Sequence, residues 1–319
     1  MKKQYDDLIL KKYRNGALDY SQTINYLISL IQSSDNRNKR SQVINSLEYL
    51  NAFNKDLFKF IENLMLSDSD SIIRRKAINI IGKYYLNLSL NPIKWAIKYE
   101  KDYKCLISLI KTITKIKNRD SKEFLISELR EKLKQNIENI NNIGIQKYND
   151  AINKLYLKNI IRNFNINQIA NILISYLTIS ELIKRYYSVY YELDNKICLP
   201  IKLDLSDIEF EVRGWKSEFR NNIKNLSDIL GLTYLHSLEV LDLSNNQIQS
   251  IRELTNLQNL KYLFLSNNQI ENEENIKFFK QMKNLKYLDI SGNKIAKFLE
   301  ANPINNKIEV KSHNFNYFR

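Results

Sequence analysis

The C-terminal third of the chain repeats a fixed spacing of hydrophobic residues. Three segments, which start at Leu238, Leu260 and Leu285, fit the pattern L-x-x-L-x-[LI]-x-x-N-x-I without gaps. Their starts are 22 and 25 residues apart. Leucines that alternate with other residues predict a short strand whose leucines point inward. Repetition of this unit predicts strands that stack side by side into a parallel sheet.

An asparagine follows the strand in each segment, at Asn246, Asn268 and Asn293. Its side-chain amide can bond backbone groups of the turn and of the adjacent repeats. The sequence therefore predicts a structural role for the three asparagines and not a catalytic one.

These segments resemble the leucine-rich repeat family over about 105 residues, with three to four repeats, since the family's period is about 20–29 residues. The 22-residue rhythm is similar to the class typified by a regulatory subunit of protein phosphatase 1. The resemblance implies an α/β domain that binds proteins on its concave sheet. We carry over this mode of binding and not the phosphatase partner.

Weaker patterns on both sides of the repeats predict caps that close the hydrophobic core. Upstream, hydrophobic residues alternate with polar ones in two runs, and a degenerate repeat is expected over about 214–237. The two runs are Ile201, Leu203 and Leu205, then Ile208, Phe210 and Val212. Downstream, residues 302–304 and the polar, aromatic tail are expected to form the closing cap.

The outward positions of the predicted strands are the candidate partner-binding residues. Exposed aromatic side chains on a rigid sheet are typical of binding hot spots. In the alternative interpretation, the aromatic patch packs against the N-terminal part of the same chain. The candidates are Val240, Asp242, Tyr262, Phe264, Tyr287 and Asp289.

The N-terminal two thirds follow a helical period. Two helical segments match at an offset of 35 residues, one with Asp35 and Arg40 and the other with Asp70 and Arg75. An aspartate at a helix start accepts free N–H groups. The pattern resembles the HEAT repeat family, in which such an aspartate caps the second helix and the arginine ties repeats together. The resemblance implies structural roles for these four residues.

We therefore predict a tandem solenoid with two domains. Residues 1–195 would form an all-α superhelix of the HEAT or armadillo type. Residues 196–319 would form the leucine-rich repeat domain with its caps. The short stretch 194–200 is the expected joint.

The chain is basic, with a net charge of +14. Residues 1–200 carry most of the excess, with 33 Lys and Arg against 20 Asp and Glu. A basic surface can attract polyanions, although abundant Ile, Asn, Lys and Tyr also fit an AT-rich genome. The candidate polyanion-binding residues are Arg74, Arg75, Lys76, Lys111 and Lys115.

The sequence carries none of the common catalytic or cofactor motifs. No two of the six glycines are within five positions, which excludes phosphate-binding loops. Two histidines in unrelated places give no zinc spacing and no catalytic triad. We expect a non-enzymatic protein without a metal or a cofactor.

Cysteine content and apolar runs bear on where the protein resides. Cys105 and Cys198 are far apart, which favours a reducing, cytoplasmic setting. The most apolar stretch, residues 166–183, is broken by polar residues such as Asn167 and Glu181. We expect no membrane span and a monomer.

The leading functional hypothesis is an adaptor or scaffold that binds a protein partner on the concave face of the leucine-rich repeats. The alternative is a nucleic-acid-binding protein that uses the basic helical surface, in the manner of HEAT-like DNA glycosylases. A regulator of a GTPase or a phosphatase is a narrower form of the first hypothesis.

Overall fold

The computed structural model describes residues 5–138, 143–186, 189–206, 223–304 and 307–313. The chain divides into two compact units, Met1–Phe124 and Leu125–Arg319. The alternating run Ile208, Phe210 and Val212 lies outside the described residues.

Unit 1 is helical, and its helices pack in pairs. Helix α2 packs with α3, α4 with α5, and α6 with α7, while α5 also contacts α3 and α7. The helices α3, α5 and α7 therefore form one layer. The elements are α1 (Tyr5–Arg14), α2 (Tyr20–Ser33), α3 (Arg37–Tyr49), α4 (Phe58–Ser67), α5 (Ser71–Tyr84), α6 (Leu90–Tyr99) and α7 (Tyr103–Ile113).

Side-chain caps fix where the helices of this layer begin. The residue directly before each helix accepts a backbone N–H of the first turn, as N-caps do. The cap of α3 is Asn36, not the neighbouring Asp35 of the sequence prediction, because only Asn36 lies next to the first helical residue and reaches Lys39 N. The caps of α3, α5 and α7 are Asn36, Asp70 and Asp102.

Two equivalent arginines tie the layer together. Arg40 and Arg74 each lie four residues after a cap. Arg40 donates to both carboxylate oxygens of Asp68, which lies two residues before the cap of α5. Arg74 pairs with Glu100, two residues before the cap of α7, at 2.8 and 2.9 Å.

The true offset between the two helical segments is therefore 34 residues, from Arg40 to Arg74. The sequence prediction used 35 and assigned the role to Arg75. Arg75 makes none of these bonds, since in a helix a shift of one residue turns a side chain by about 100°. This assignment was one residue out of register.

In the described part of the chain, three α-helices lie between α7 and the sheet. Helix α8 (Arg119–Glu138) crosses the division between the units, and α9 (Ile143–Leu157) and α10 (Ile166–Arg185) follow. Tyr148 and Tyr176 are fully buried and their rings meet edge to face. Tyr191, from the first strand, packs on Tyr148 and donates from its hydroxyl to Gly144 O at 2.9 Å. The helices and the sheet of this unit therefore share a core.

Helix α10 is long and apolar enough to cross a membrane by length and composition alone. In the structure, 61% of its apolar window is buried inside the protein. This burial is what a core helix shows, and it weakens the case for a membrane span.

Unit 2 also holds a six-stranded sheet in sequential order. Strand β1 pairs antiparallel with β2, and β2 to β6 are parallel. The predicted parallel sheet of the three repeats is confirmed, and the flanking segments add three strands to it. The strands are β1 (Tyr190–Leu193), β2 (Pro200–Asp204), β3 (Val240–Asp242), β4 (Tyr262–Phe264), β5 (Tyr287–Asp289) and β6 (Glu309–Lys311).

Short helical segments form the opposite side of the repeats. Every inward leucine of the three predicted segments is buried, as is the row at three-residue spacing between them. The helical segments on this side are 3-10 helices at Leu226–Asp228, Leu232–Tyr234 and Arg252–Asn256, and the α-helices α11 (Glu274–Gln281) and α12 (Ala296–Ala301).

The first repeat is interrupted. Strand β2 pairs with β3 in the register of a repeat strand, Leu203 opposite Leu241. Ile223 N donates to Asn246 Oδ1, as Ile248 N does to Asn268 Oδ1 one repeat later. Residues 201–205 and 223–237 therefore belong to one repeat, and residues 206–222 are inserted between its strand and its helical side. The sequence prediction treated the two pieces as a cap and a separate degenerate repeat.

The predicted domain boundary at 195/196 falls inside the sheet, between β1 and β2, whereas the helices end with α10 at Arg185. The division into compact units falls earlier, at 124/125. Helices α9 and α10 belong with the sheet because their tyrosines pack against Tyr191.

Candidate functional site

The solvent-facing side of the sheet, called the sheet face below, presents two rows of side chains across the strands. Alternation buries Leu203, Leu241, Leu263 and Leu288 and turns their neighbours outward. The upper row is Glu192, Lys202, Val240, Tyr262, Tyr287 and Glu309, and the lower row is Tyr190, Asp204, Asp242, Phe264, Asp289 and Lys311. All six candidate partner-binding residues lie in these rows.

An aromatic cluster occupies the middle of the sheet face. Tyr262 is 41% exposed, and Phe264 and Tyr287 are partly buried. The Phe264 and Tyr287 rings are 5.4 Å apart between centroids, in tilted contact. The cluster is held by two adjacent, hydrogen-bonded strands, β4 and β5, which fix the positions of its side chains before any ligand binds.

Three aspartates share one position of the lower row and use one oxygen in the same way. Asp204, Asp242 and Asp289 each accept the backbone N–H of the serine two residues later on Oδ1, at 2.9–3.1 Å. Serine hydroxyls also donate to Asp204 and Asp289 at 2.6 Å. These bonds orient each carboxylate through Oδ1, so that Oδ2 can contact other partners.

The Oδ2 atoms differ in what they meet. Lys311 Nζ lies 2.9 Å from Asp289 Oδ2, and the hydrogen bond raises the pKa of Lys311. Among the described residues, Asp204 and Asp242 have no cation within ion-pair distance. Burial, and then repulsion from Asp204 and Asp289, raises the pKa of Asp242. Within the described part of the chain, the centre of the face therefore holds a carboxylate that forms no ion pair.

The three asparagines build the turn behind the face. Asn246, Asn268 and Asn293 are buried, and each Nδ2 donates to a carbonyl oxygen of its own repeat and one of the preceding repeat. The residue before each asparagine has a positive φ, at Asn245, Asn267 and Gly292. Asparagine and glycine tolerate this conformation best, which accounts for the residue types found there.

A comparison with known families identifies the repeats. The family described as "Leucine Rich repeats (2 copies)" matches residues 236–277 and 258–306. Residues 236–306 are leucine-rich repeats. The match covers β3, β4 and β5 with their asparagine turns, and leaves the N-terminal helices and β1, β2 and β6 outside it.

No curated protein matches the chain. The leucine-rich repeat family is commonly a protein-interaction module, and its name specifies no partner.

The candidate polyanion-binding residues of unit 1 lie on α5, on α7 and just after the end of α7. Arg74 is engaged with Glu100 and with the Asp68 and Ser69 carbonyls, so it is not available to a polyanion. Lys76 bonds Asn45, and burial lowers the pKa of both Lys76 and Lys111. Lys115, just after the end of α7, places its Nζ beside Gly82 of α5, 3.4 Å from where a Cβ would be.

In the described ranges, no group of three or more His, Cys, Asp or Glu side chains could hold a metal ion. Cys105 and Cys198 are free and buried, and burial raises the pKa of each thiol, of Cys198 to about 11.

Six residues of the sheet face were not predicted from the sequence, because the first two strands and the last strand lie outside the clear repeats. One signal was present: residues 309–311 follow residues 287–289 by 22 positions, the same spacing as from β3 to β4. The missed residues are Tyr190, Glu192, Lys202, Asp204, Glu309 and Lys311.

Proposed function

We propose that this protein is a non-enzymatic adaptor that binds a protein partner on the sheet face of its leucine-rich repeats. The observation that carries the proposal is the cluster of Tyr262, Phe264 and Tyr287 at the centre of that face. Aromatic side chains dominate binding energy at interfaces, and adjoining polar positions then set orientation and specificity.

We also propose that unit 1 is a HEAT-like solenoid, which makes the chain a tandem solenoid. The support is the repeated bonding of Arg40 to Asp68 and of Arg74 to Glu100, at equivalent positions of successive helix pairs. The two free, buried cysteines favour a reducing, cytoplasmic setting for the adaptor.

A second candidate function is the binding of a nucleic acid by the basic residues of α5 and α7. Lys76 and Lys111 favour it, because both are partly desolvated and lie on neighbouring helices. Burial strengthens the interaction of a cation with a phosphate. This candidate predicts binding that falls steeply with salt.

The test is affinity capture on the full chain from a native lysate, with and without nuclease. We compare the wild type with Tyr262→Ala/Phe264→Ala/Tyr287→Ala. A matched control replaces three exposed tyrosines of unit 1, Tyr26→Ala/Tyr49→Ala/Tyr99→Ala. Circular dichroism checks that both variants fold.

The wild type and the control should retain a protein that the sheet-face variant loses by at least tenfold, which corresponds to about 1.4 kcal/mol. Equal retention by all three proteins would remove the sheet face as the working surface. Captured material that disappears on nuclease treatment would favour the nucleic-acid candidate.

A further inference from the structure

The sheet face carries the opposite charge to the chain as a whole. The chain has a net charge of +14, whereas the described strands present five carboxylates and two lysines on this face. A cationic ligand is repelled by most of the molecule and attracted here, so the field directs it to this face. The charged residues are Glu192, Asp204, Asp242, Asp289, Glu309, Lys202 and Lys311.

The two lysines show how this face holds a cation. Lys202 lies over the Tyr190 ring, 5.2 Å from its centroid, and also 3.5 Å from Glu192. Lys311 forms an ion pair with Asp289 at 2.9 Å. Each ammonium group thus meets a carboxylate, and one also meets an aromatic ring. Both lysines belong to strands that flank the centre, β2 and β6.

The centre has the same groups but no cation among the described residues. Phe264 lies between Asp242 and Asp289 in the lower row, on adjacent strands that are about 4.8 Å apart. Asp204 lies next to Asp242 on the other side. A cation within about 6 Å of a ring centroid is attracted to its face, so one cation can contact Phe264 and Asp242 together.

We propose that the sheet face binds a basic segment of a partner protein, with an arginine or lysine side chain held by the Asp204 and Asp242 carboxylates against the Phe264 and Tyr262 rings. This inference rests on the proposed function and specifies the chemistry of the partner. Arginine fits best, because its planar guanidinium group stacks on an aromatic ring while it donates to carboxylates at its edge.

The experiment measures fluorescence anisotropy of a labelled octapeptide of alternating arginine and alanine, titrated with the full chain. A peptide with glutamate in place of arginine is the charge control. The protein variants are Asp204→Asn/Asp242→Asn and, as a matched removal of two charges, Glu273→Gln/Glu274→Gln. Glu273 and Glu274 are exposed and lie outside the sheet.

The wild type should bind the arginine peptide and not the glutamate peptide. The Asp204→Asn/Asp242→Asn variant should raise the Kd about tenfold, while the Glu273→Gln/Glu274→Gln variant stays within twofold. Asparagine keeps the hydrogen bonds to Ser206 and Ser244, so folding is preserved. No binding by the wild type, equal binding of the two peptides, or an unchanged Kd for Asp204→Asn/Asp242→Asn overturns the inference.

The two proposals fail in different ways. If the aromatic substitutions abolish protein capture while the aspartate substitutions change neither capture nor peptide binding, the face binds protein but its partner is not basic. If capture survives the aromatic substitutions, the proposed function itself fails.

Discussion

At the scale of single residues, two aspartates in the same row have different electrostatic surroundings. Asp289 is neutralised by Lys311 at 2.9 Å. Asp242 has a raised pKa from burial and from its acidic neighbours. A carboxylate whose pKa is raised on folding is less stable as an ion in the folded protein than in the unfolded chain. The ionised Asp242 therefore destabilises the fold, and it places a negative charge at the centre of the sheet face.

This difference gives a prediction for stability. Asp242→Asn should increase the free energy of unfolding by about 0.5 kcal/mol at neutral pH, as removal of an unfavourable charge does. Asp289→Asn should lower it by about 1 kcal/mol, because a partly exposed ion pair is lost. Urea denaturation of both variants measures the two changes, and the same sign for both would contradict the argument.

The pH dependence has a definite sign. Because the pKa of Asp242 is higher in the folded protein, its ionisation reduces stability as the pH rises through that pKa. The stability gain of Asp242→Asn should therefore vanish below the ordinary aspartate pKa of about 4, where the carboxyl group is protonated in both states.

The sequence predicted the sheet face in part. Alternation around the leucines gave Asp242 and Phe264 their outward positions, since a period of two fixes which side each residue faces. Asp204 was missed, because the inserted residues 206–222 separate its strand from the rest of its repeat. Lys311 was missed, because its strand lacks the leucine pattern.

At the scale of elements, the arginine bonds hold successive helices of unit 1 in register. Arg74 is 16% exposed and Glu100 is 7% exposed, so their ion pair is largely shielded from water. Removing one partner of such a pair leaves a buried charge without compensation.

Arg74→Ala should therefore lower the free energy of unfolding of unit 1 by about 3 kcal/mol. Arg75→Ala is the matched control and should change it by less than about 0.5 kcal/mol. Trp95 lies beside the Arg74–Glu100 pair, around one surface cavity. Its fluorescence during urea denaturation, in a Trp215→Phe background, reports on this unit. Equal losses for the two variants would refute the assignment.

The one-residue error in the sequence prediction has a physical cause. Both Arg74 and Arg75 follow the cap. The hydrophobic period of the helix does not show which of two adjacent arginines near its start makes the bond to the next helix pair. The deciding feature is Glu100, which is 26 residues away from Arg74 and has no sequence pattern to connect the two.

At the scale of the whole molecule, the extent of unit 2 decides which fragment can fold. The predicted change from helices to strands at 195/196 lay a few residues late, since β1 begins at Tyr190, but the change itself was visible in the sequence. The packing of α9 and α10 with the sheet was not, because it depends on contacts of Tyr191 with residues some 50 positions away.

A fragment of residues 119–319 should unfold cooperatively, since it keeps α8 whole and retains α9 and α10. A fragment of residues 196–319 should not, because it lacks β1 and the buried tyrosines of the two helices. Thermal melting followed by near-ultraviolet circular dichroism distinguishes them. A cooperative transition of the shorter fragment at the same temperature would show that the helices are dispensable.

The repeated arginine bonds also determine how gene duplication could lengthen the helical unit. Asp68 and Glu100 occupy equivalent positions, 32 residues apart. A tandem duplication of residues 68–99, in frame, would place a second copy of Asp68 where Arg74 now meets Glu100. Each copy of Arg74 would then have an acidic partner 26 residues later. The helical unit would gain one helix pair that packs through an interface already present in the protein. Tandem duplication can therefore lengthen the helical unit by one whole helix pair at a time.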